Sequence, residues 1–163
     1  MAECHLSAAR VRELVRYVPE TGEFFSISAR SHRRKVGKAN CGYQRLYLDG
    51  RNYRAHRIAW LYMTGDWPPV IDHINGNGCD NRWENLRLAT VQLNNQNLHG
   101  ARSNSLVGRL GVSMNKGGRY TAIIGAHLAG RKVQIYLGAY DTADEAAAVY
   151  LDAKRKLHAG CTI

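Results

Sequence analysis

The sequence predicts an α+β protein made of two small modules. Around residues 72–94, a short strand, a loop rich in Asn and Gly, a second short strand and a helix follow one another. After a polar stretch at 99–108, three strands separated by Gly-containing turns precede one long amphipathic helix. We therefore assign residues 1–98 to the first module, 99–108 to a linker and 109–163 to the second module.

A helix, a turn and a strand are predicted at the start of the chain. Ser7 is a suitable N-cap, with Leu6 and Val11 spaced for a hydrophobic staple, and apolar residues continue at helical spacing to Val15. Residues 19–22, which contain Pro and Gly, predict a turn, and residues 23–28 predict a strand.

A hairpin and a second helix follow. Side chains alternate along residues 43–48, Asp49-Gly50 is a strong hairpin turn signal, and residues 51–54 form the returning strand. A helix is predicted over residues 56–64, ending at a glycine. Its first residue, His56, is interpreted as a packing residue, with a position facing a functional site as the alternative.

The stretch from Asp72 to Asn94 carries residues suited to metal-assisted chemistry. Asp72 and Asn94 offer the hard oxygens that Mg²⁺ prefers, and Thr90 can cap the helix on which Asn94 lies. The adjacent His73 is a neutral imidazole at pH 7 and can take a proton from water. A calcium loop is excluded because Ile74 stands where an oxygen ligand is required. Taken singly, each residue also has an ordinary role as a turn, cap or core residue.

The charge of the chain favours a polyanionic partner. There are 23 basic and 13 acidic residues, and the basic excess is four in residues 1–50, one in 51–100 and five in 101–163. A nearly neutral reactive segment between two basic segments fits phosphodiester hydrolysis on nucleic acid. The basic run at 30–38 is expected to contact phosphates through Arg33, Arg34 and Lys35, with a solvated loop as the alternative.

The cysteines and the hydropathy give further expectations. Cys4, Cys41, Cys79 and Cys161 form no Cys-x-x-Cys pair, so we expect no structural zinc. The chain shows no signal peptide and no long apolar span, so we expect a reduced, cytoplasmic protein without a membrane partner.

The second module is predicted to be three antiparallel strands covered on one side by a helix. The strands are expected at residues 110–114, 119–128 and 131–137. Thr142 and Glu145 form a capping box for a helix that runs to about residue 158. The uncovered sheet face is polar and basic, and a sheet of this kind can enter the major groove of DNA.

The polar residues of the first module are spaced as in a known motif. Asn85 follows His73 by twelve positions and Asn94 follows Asn85 by nine, behind the adjacent Asp72. This pattern resembles the HNH (ββα-metal) nuclease motif of homing-type endonucleases found in bacteriophages and mobile introns. The likeness covers about residues 5–98 and extends to the flanking segments 55–60 and 80–87.

This resemblance implies a metal-dependent HNH endonuclease acting on double-stranded DNA. Asp72 and Asn94 would hold one divalent ion, Mg²⁺ or alternatively Mn²⁺. His73 would deprotonate the attacking water, Asn85 would brace the loop and help orient His73, and Arg87 would contact the phosphate. The products would carry 5′-phosphate and 3′-hydroxyl ends. One centre per chain implies nicking by a monomer, unless a dimer assembles on DNA. A phage-encoded enzyme would act in the host cytosol.

The second module resembles another family. Residues 136–147, with the short strand at Gly111-Val112, are similar to the ethylene-response-factor (APETALA-type) DNA-binding domain over about residues 104–160. The resemblance implies DNA contacts from the exposed strand face, namely Ser113, Asn115, Thr121, Lys132, Gln134 and Tyr136. Phosphate contacts are expected from Arg109, Lys116, Arg119 and Arg131. Ser113, Asn115 and Gly125 stand where plant members carry arginine, so a plant-type target sequence is not implied.

Two other functions remain open from the sequence. One is a DNA-binding regulator whose HNH-like part is a catalytically silent scaffold, and the other is a protein-interaction module. The intact Asp72, His73 and Asn94 argue against the first, and the basic charge argues against the second. A plasmid cleavage assay with Mg²⁺ and with a chelator separates these possibilities.

Overall fold

A computed structural model describes the α+β fold of the chain over residues 6–27, 35–40, 42–101, 104–128 and 131–163. The fold class is as predicted. The chain forms two compact units, Met1–Thr90 and Val91–Ile163. The predicted linker at 99–108 thus lies inside the second unit. No helix within the described ranges is both long and apolar enough to cross a membrane.

In its described residues, the first unit combines short strands with two helices and one 3₁₀ turn. Its elements are α1 (Ala8–Leu14), β1 (Val15–Val18), β2 (Glu23–Ser26), β3 (Lys35–Val36), β4 (Lys38–Asn40), β5 (Tyr43–Leu48), β6 (Arg51–Arg54), α2 (Ala55–Thr64), β7 (Ile71–His73), the 3₁₀ turn Trp83–Asn85 and β8 (Leu86–Leu88).

The N-terminal helix is shorter than predicted. Ser7 caps it as expected, because its Oγ accepts a hydrogen bond from the backbone N–H of Arg10 at 3.2 Å. The prediction that the helix continues through Val15 was wrong, since Val15 begins β1 and pairs with Ser26 of β2. Tertiary pairing and burial of this β-branched residue override its helical spacing. The strand β1 was not predicted.

The predicted hairpin is confirmed. β5 and β6 pair in antiparallel register from Arg45↔Arg54 to Leu48↔Arg51. Asp49 and Gly50 both have positive φ, 44° and 78°, as a two-residue turn between twisted strands requires. β4 pairs with the other edge of β5, so the sheet order is β4-β5-β6.

The core of the first unit lies beneath the helix α2. This helix ends at Gly65 in the left-handed conformation (φ 85°), as predicted. Its buried face packs with residues from α1, β1, β2 and β5. The fully buried side chains of this cluster include Val11, Val15, Phe24, Leu46, Ile58 and Leu61. This burial fixes the start of α2, where His56 lies, against the strands that carry the candidate site.

The second unit contains the predicted sheet and covering helix, preceded by one short helix. Its elements are α3 (Val91–Gln96), β9 (Val112–Met114), β10 (Tyr120–Leu128), β11 (Arg131–Tyr140) and α4 (Ala143–Leu157). The sheet is antiparallel with the order β11-β10-β9. The predicted capping box is present, because the Thr142 hydroxyl accepts from the Glu145 N–H and the Glu145 carboxylate accepts from the Thr142 N–H.

Two strand ends of this unit differ from the prediction. β9 begins at Val112 instead of residue 110, because Gly111 turns the chain with a φ of 71° directly beneath the Tyr150 ring. A Cβ at Gly111 would lie 1.9 Å from that ring, so the close approach requires glycine. β11 continues to Tyr140, three residues past its predicted end, because it keeps pairing with β10 up to Tyr120.

Candidate active site

A strand–loop–strand unit positions the candidate catalytic residues. β7 and β8 pair in antiparallel register, with Asp72 opposite Arg87 and His73 opposite Leu86. Two backbone hydrogen bonds close the loop between them: Ile74 N–H donates to Asn85 O and Gly76 N–H donates to His73 O, both at 2.9 Å. The second short strand predicted in this stretch is β8, and it begins directly after Asn85, which belongs to the 3₁₀ turn.

His73 lies in an enclosed and largely aromatic environment. Its side chain is 5% exposed. The His56 ring meets it edge-on at 4.9 Å between centroids, and the Tyr43 ring lies 5.9 Å away. Burial lowers the pKa of His73 below its ordinary value of 6.5. The imidazole is therefore neutral at pH 7 and able to accept a proton.

Asn81 fixes the tautomer of His73. Its Oδ1 atom lies 3.3 Å from His73 Nε2, and its side chain is 1% exposed. The amide orientation of Asn81 is set from the other side, because Nδ2 donates to Gln44 Oε1 at 2.8 Å and to the Cys79 carbonyl at 3.3 Å. An acceptor facing Nε2 requires that this nitrogen carry the hydrogen. The proton-accepting lone pair of His73 is then on Nδ1.

Sequence reasoning did not assign a role to Asn81. The residue belongs to the segment 80–87 that resembles the HNH motif, which was the one available signal. Its partner Gln44 lies 37 positions earlier in the chain, on β5. Only the folded sheet brings the two amides together.

Asn85 holds the loop through side-chain hydrogen bonds. Its Oδ1 accepts from the Asn75 N–H at 2.9 Å, and its Nδ2 donates to Asn75 Oδ1 at 3.0 Å and to the Asp80 carbonyl at 2.8 Å. Asp80 adds an ion pair with Arg82 at 2.8 Å, and this hydrogen-bonded contact lowers the pKa of Asp80 to about 2. The loop is thus held by side chains as well as by backbone.

Asp72 pairs with Arg87 across the two strands. Arg87 donates from Nε and from an Nη to the same oxygen, Asp72 Oδ2, at 2.9 and 2.7 Å. The Asp72 side chain is buried, while that of Arg87 is partly exposed. The resemblance placed Arg87 on the substrate phosphate, whereas here its guanidinium is hydrogen-bonded to Asp72.

Asn94 lies on α3, which belongs to the second unit. The chain after α4 approaches this helix closely: a Cβ at Gly160 would lie 2.5 Å from the Leu93 carbonyl oxygen. Gly160 N–H donates to Gln96 Oε1 at 3.3 Å, and the Thr162 hydroxyl donates to Asn97 Oδ1 at 2.6 Å. The C-terminal tail therefore fixes the helix that presents Asn94.

The donor chemistry of Asp72 and Asn94 fits a hard divalent ion. Carboxylate and amide oxygens are suitable ligands, and Mg²⁺ commonly takes its remaining ligands from water and substrate phosphate. Within the described residues there is no group of three or more His, Cys, Asp and Glu side chains able to hold a metal ion. A site of the predicted type does not need one, since one of its two protein ligands is an amide.

Arginines and lysines predicted to contact DNA occupy different environments. Arg33 and Arg34 lie outside the described residues. Three predicted phosphate contacts are in ion pairs: Lys35 with Glu23 at 2.6 Å, Arg109 with Asp144 at 2.7 Å, and Arg119 with Asp141 at 3.0 Å. All three cations are on the surface, where such pairs are weak and exchangeable.

The predicted DNA-reading face of the second unit is mostly exposed. Five of its residues are solvent-accessible, namely Ser113, Asn115, Lys132, Gln134 and Tyr136. The neighbouring Lys116 is also exposed. Thr121 is buried in the sheet instead. Asn115 closes the turn before β10, since its Oδ1 accepts from Gly117 N–H at 3.0 Å and Arg119 N–H at 3.1 Å.

Comparison with known protein families gives a match to the central segment of the chain. Residues 53–96 match the family model described as HNH endonuclease. The matched segment contains Asp72, His73, Asn85 and Asn94 and ends with α3. The matched segment supports nuclease activity, that is, hydrolysis of phosphodiester bonds in DNA. HNH nucleases in general use a divalent metal ion. No curated protein and no solved structure matches the chain.

Proposed function

We propose that this protein is a metal-dependent DNA endonuclease in which His73 is the general base and Asp72 and Asn94 are the metal ligands. One observation carries the proposal above the others. Within the segment that matches the HNH endonuclease family, a neutral, buried His73 is held in one tautomer by Asn81, directly beside a buried carboxylate.

The chain's own residues account for activation of the nucleophile. His73 Nδ1 would accept a proton from a water molecule while Nε2 donates to Asn81. The resulting hydroxide would attack phosphorus, the bond between phosphorus and the 3′ oxygen would break, and that oxygen would take a proton from solvent. The products would be a 5′-phosphate and a 3′-hydroxyl. The enclosure of His73 limits competing hydrogen bonds from bulk water.

Asp72 and Asn94 would hold the divalent ion, which when bound offsets negative charge on the phosphate and the leaving oxygen. Arg87 is hydrogen-bonded to Asp72 Oδ2, and its positive charge competes with the ion for that carboxylate. Asn85 keeps the loop closed, which fixes the position of Asn81 relative to His73 in space. Asn85 is thus a positioning residue and does not itself contact the reacting atoms.

The second unit would bind duplex DNA through its exposed sheet face. Support comes from the solvent-accessible Lys132, Gln134 and Tyr136 on β11, opposite the face covered by α4. Replacing Lys132 by Gln should lower the slope of log Kd against log salt by about one, as for a lost phosphate contact. An unchanged slope would show that Lys132 does not contact a DNA phosphate.

The likeness to phage and mobile-intron enzymes extends the proposal further. The protein would be a homing-type endonuclease acting in the host cytoplasm, as a nicking monomer or as a dimer assembled on DNA. In either case, the ion would be Mg²⁺, with Mn²⁺ as the alternative.

A supercoiled plasmid tests the proposed activity. With Mg²⁺ the wild-type protein should convert it to nicked or linear DNA, and with EDTA it should not. DNA ligase alone should reseal the nicks, since it requires 5′-phosphate and 3′-hydroxyl ends. Cleavage that persists in EDTA, or nicks that ligase cannot reseal, would overturn the proposed chemistry.

A further inference from the structure

One face of the sheet β4-β5-β6 is exposed, aromatic and basic. On β5, exposed Tyr43, Arg45 and Tyr47 alternate with the buried Leu46 and Leu48. Residues directly opposite on neighbouring strands point to the same side of a sheet. The register pairs Arg45 with Arg54 and Tyr47 with Asn52. We call this surface the β5–β6 face, made of Tyr43, Arg45, Tyr47, Asn52 and Arg54.

The two arginines of this face are not neutralised. Across the residues that the structure describes, neither Arg45 nor Arg54 has a carboxylate within ion-pair distance. Two like charges directly opposite each other on adjacent strands destabilise a sheet. By contrast, Arg10 in the same unit contacts both Asp49 and Glu13 at 2.9 Å. An unpaired cation pair of this kind is what an anionic partner would stabilise.

Aromatic side chains flank these cations on β5. Tyr47 is 69% exposed, which is unusual for a large aromatic side chain on a strand. The Arg54 guanidinium carbon lies 4.8 Å from the centroid of the Tyr43 ring, so stacking orients this arginine on the surface. Arginine and tyrosine together are suited to phosphates and sugars of nucleic acid.

The β5–β6 face is continuous with the candidate active site. The Tyr43 ring, on which the Arg54 guanidinium stacks, also lies near two histidines. Its centroid is 5.9 Å from that of the His73 ring and 5.6 Å from that of the His56 ring. Gln44, on the opposite side of the same strand, accepts the hydrogen bond that orients Asn81. β5 therefore presents Arg45 and two tyrosines to solvent and, through Gln44, also supports the proposed general base.

We propose that the β5–β6 face binds the sugar–phosphate backbone of duplex DNA beside the scissile bond, with Arg45 and Arg54 each contacting a phosphate. This inference rests on the proposed endonuclease function. Duplex DNA is the occupant that the charge of the face and its continuity with His73 both favour. The arginines supply affinity without base readout, because phosphate contacts carry no sequence information.

The test measures binding of full-length protein to a mixed-sequence duplex of about 30 base pairs by fluorescence anisotropy. EDTA is present, so that no cleavage occurs, and the salt concentration is varied. The variants are Arg45→Gln, Arg54→Gln and the double substitution. Arg10→Gln is the matched control, since it removes the same charge from an exposed but paired arginine of the same unit. Arg45→Lys checks that a retained charge retains binding.

Each single substitution should reduce the slope of log Kd against log salt by about one, and the double substitution should reduce it by about two. Arg10→Gln and Arg45→Lys should leave the slope within a few tenths of wild type. An unchanged slope in the double variant, or an equal loss in Arg10→Gln, would overturn the proposal. Because binding is measured without metal, a protein that loses slope as expected but never cleaves DNA would contradict only the endonuclease function.

Discussion

Nε2 of His73 lies 3.3 Å from Oδ1 of Asn81 inside a site from which solvent is nearly excluded. Asn81 is held in that orientation by Gln44 and by the Cys79 carbonyl. The arrangement assigns the proton of the imidazole to Nε2 and the lone pair to Nδ1. Asn81 is thus a positioning residue for the proposed base, and it does not itself react.

Replacing Asn81 should slow cleavage without weakening DNA binding. Asn81→Ala removes the acceptor of the Nε2 hydrogen, so we expect a fall in kcat of roughly 10- to 100-fold with little change in KM. Asn81→Asp retains an acceptor oxygen and should recover part of the lost kcat. Steady-state cleavage of a labelled duplex measures both constants. A larger effect on KM than on kcat would indicate that Asn81 acts in binding.

Removing Arg87 should change metal affinity. Its guanidinium bonds to Asp72 Oδ2, and a positive charge there opposes a divalent cation at the same carboxylate. We expect Arg87→Gln to tighten Mn²⁺ binding by roughly tenfold, equivalent to about 1.4 kcal/mol. Isothermal titration of the DNA-free protein measures this directly.

Asp72→Ala serves as the comparison in that titration and should abolish the same heat signal. If Arg87→Gln instead weakened Mn²⁺ binding to the level of Asp72→Ala, the guanidinium would be required to build the site. That result would contradict the proposal that Arg87 and the metal ion compete for Asp72.

The stability of the first unit should fall in mild acid because of His56. Burial, followed by the nearby His73, Arg54 and Arg57 charges, lowers the pKa of His56 to about 3. In the unfolded chain the pKa is about 6.5, so below that pH the unfolded state binds the extra proton. Stability from this residue is therefore present above pH 6.5 and is lost as pH falls toward 3, by up to about 1.4 kcal/mol per pH unit.

Urea unfolding between pH 4.5 and 7 checks the prediction. Trp60, Trp67 and Trp83 are the three tryptophans of the chain, and all lie in the first unit, so their fluorescence follows that unit alone. His56→Leu should reduce the pH dependence of the free energy of unfolding and leave only the part that is due to His73. Equal pH slopes in the variant and the wild type would show that His56 does not titrate differently on folding.

Crowding the C-terminal tail should disturb the helix that carries Asn94. A Cβ at Gly160 would lie 2.5 Å from the Leu93 carbonyl oxygen, so Gly160→Ala must displace the tail or α3. We expect metal affinity and cleavage to fall about threefold or more, while the tryptophan-detected stability of the first unit stays constant. Gly100→Ala is the control, since nothing lies within 4 Å of a Cβ at that position. Equal activity of both variants would exclude a positioning role for the tail.

Local signals in the sequence predicted the local structure. The Ser7 cap, the Asp49-Gly50 turn, the Gly65 helix end and the Thr142–Glu145 capping box all depend on residues within four positions of one another. The strand–loop–strand arrangement around His73 was predictable for the same reason, because its spacing and turn residues lie in one short segment.

Long-range contacts were beyond the same reasoning. Val15 joins a strand because it pairs with Ser26, although its spacing continues the helix. The Gln44–Asn81 hydrogen bond and the Arg87–Asp72 pair join residues 37 and 15 positions apart, and each depends on strand register. The approach of Gly160 to Leu93 follows from packing of the whole second unit. No periodicity in the sequence encodes these contacts directly.

Single-turnover cleavage by His73→Ala is the most direct measurement of the central claim. Wild-type and variant proteins are compared on the same labelled duplex with saturating Mg²⁺, and duplex binding is measured in parallel in EDTA. We expect the cleavage rate to fall by about 100-fold or more, as for loss of a general base, with Kd unchanged within about twofold. A His73→Ala protein that cleaves at the wild-type rate would show that the imidazole is not the base.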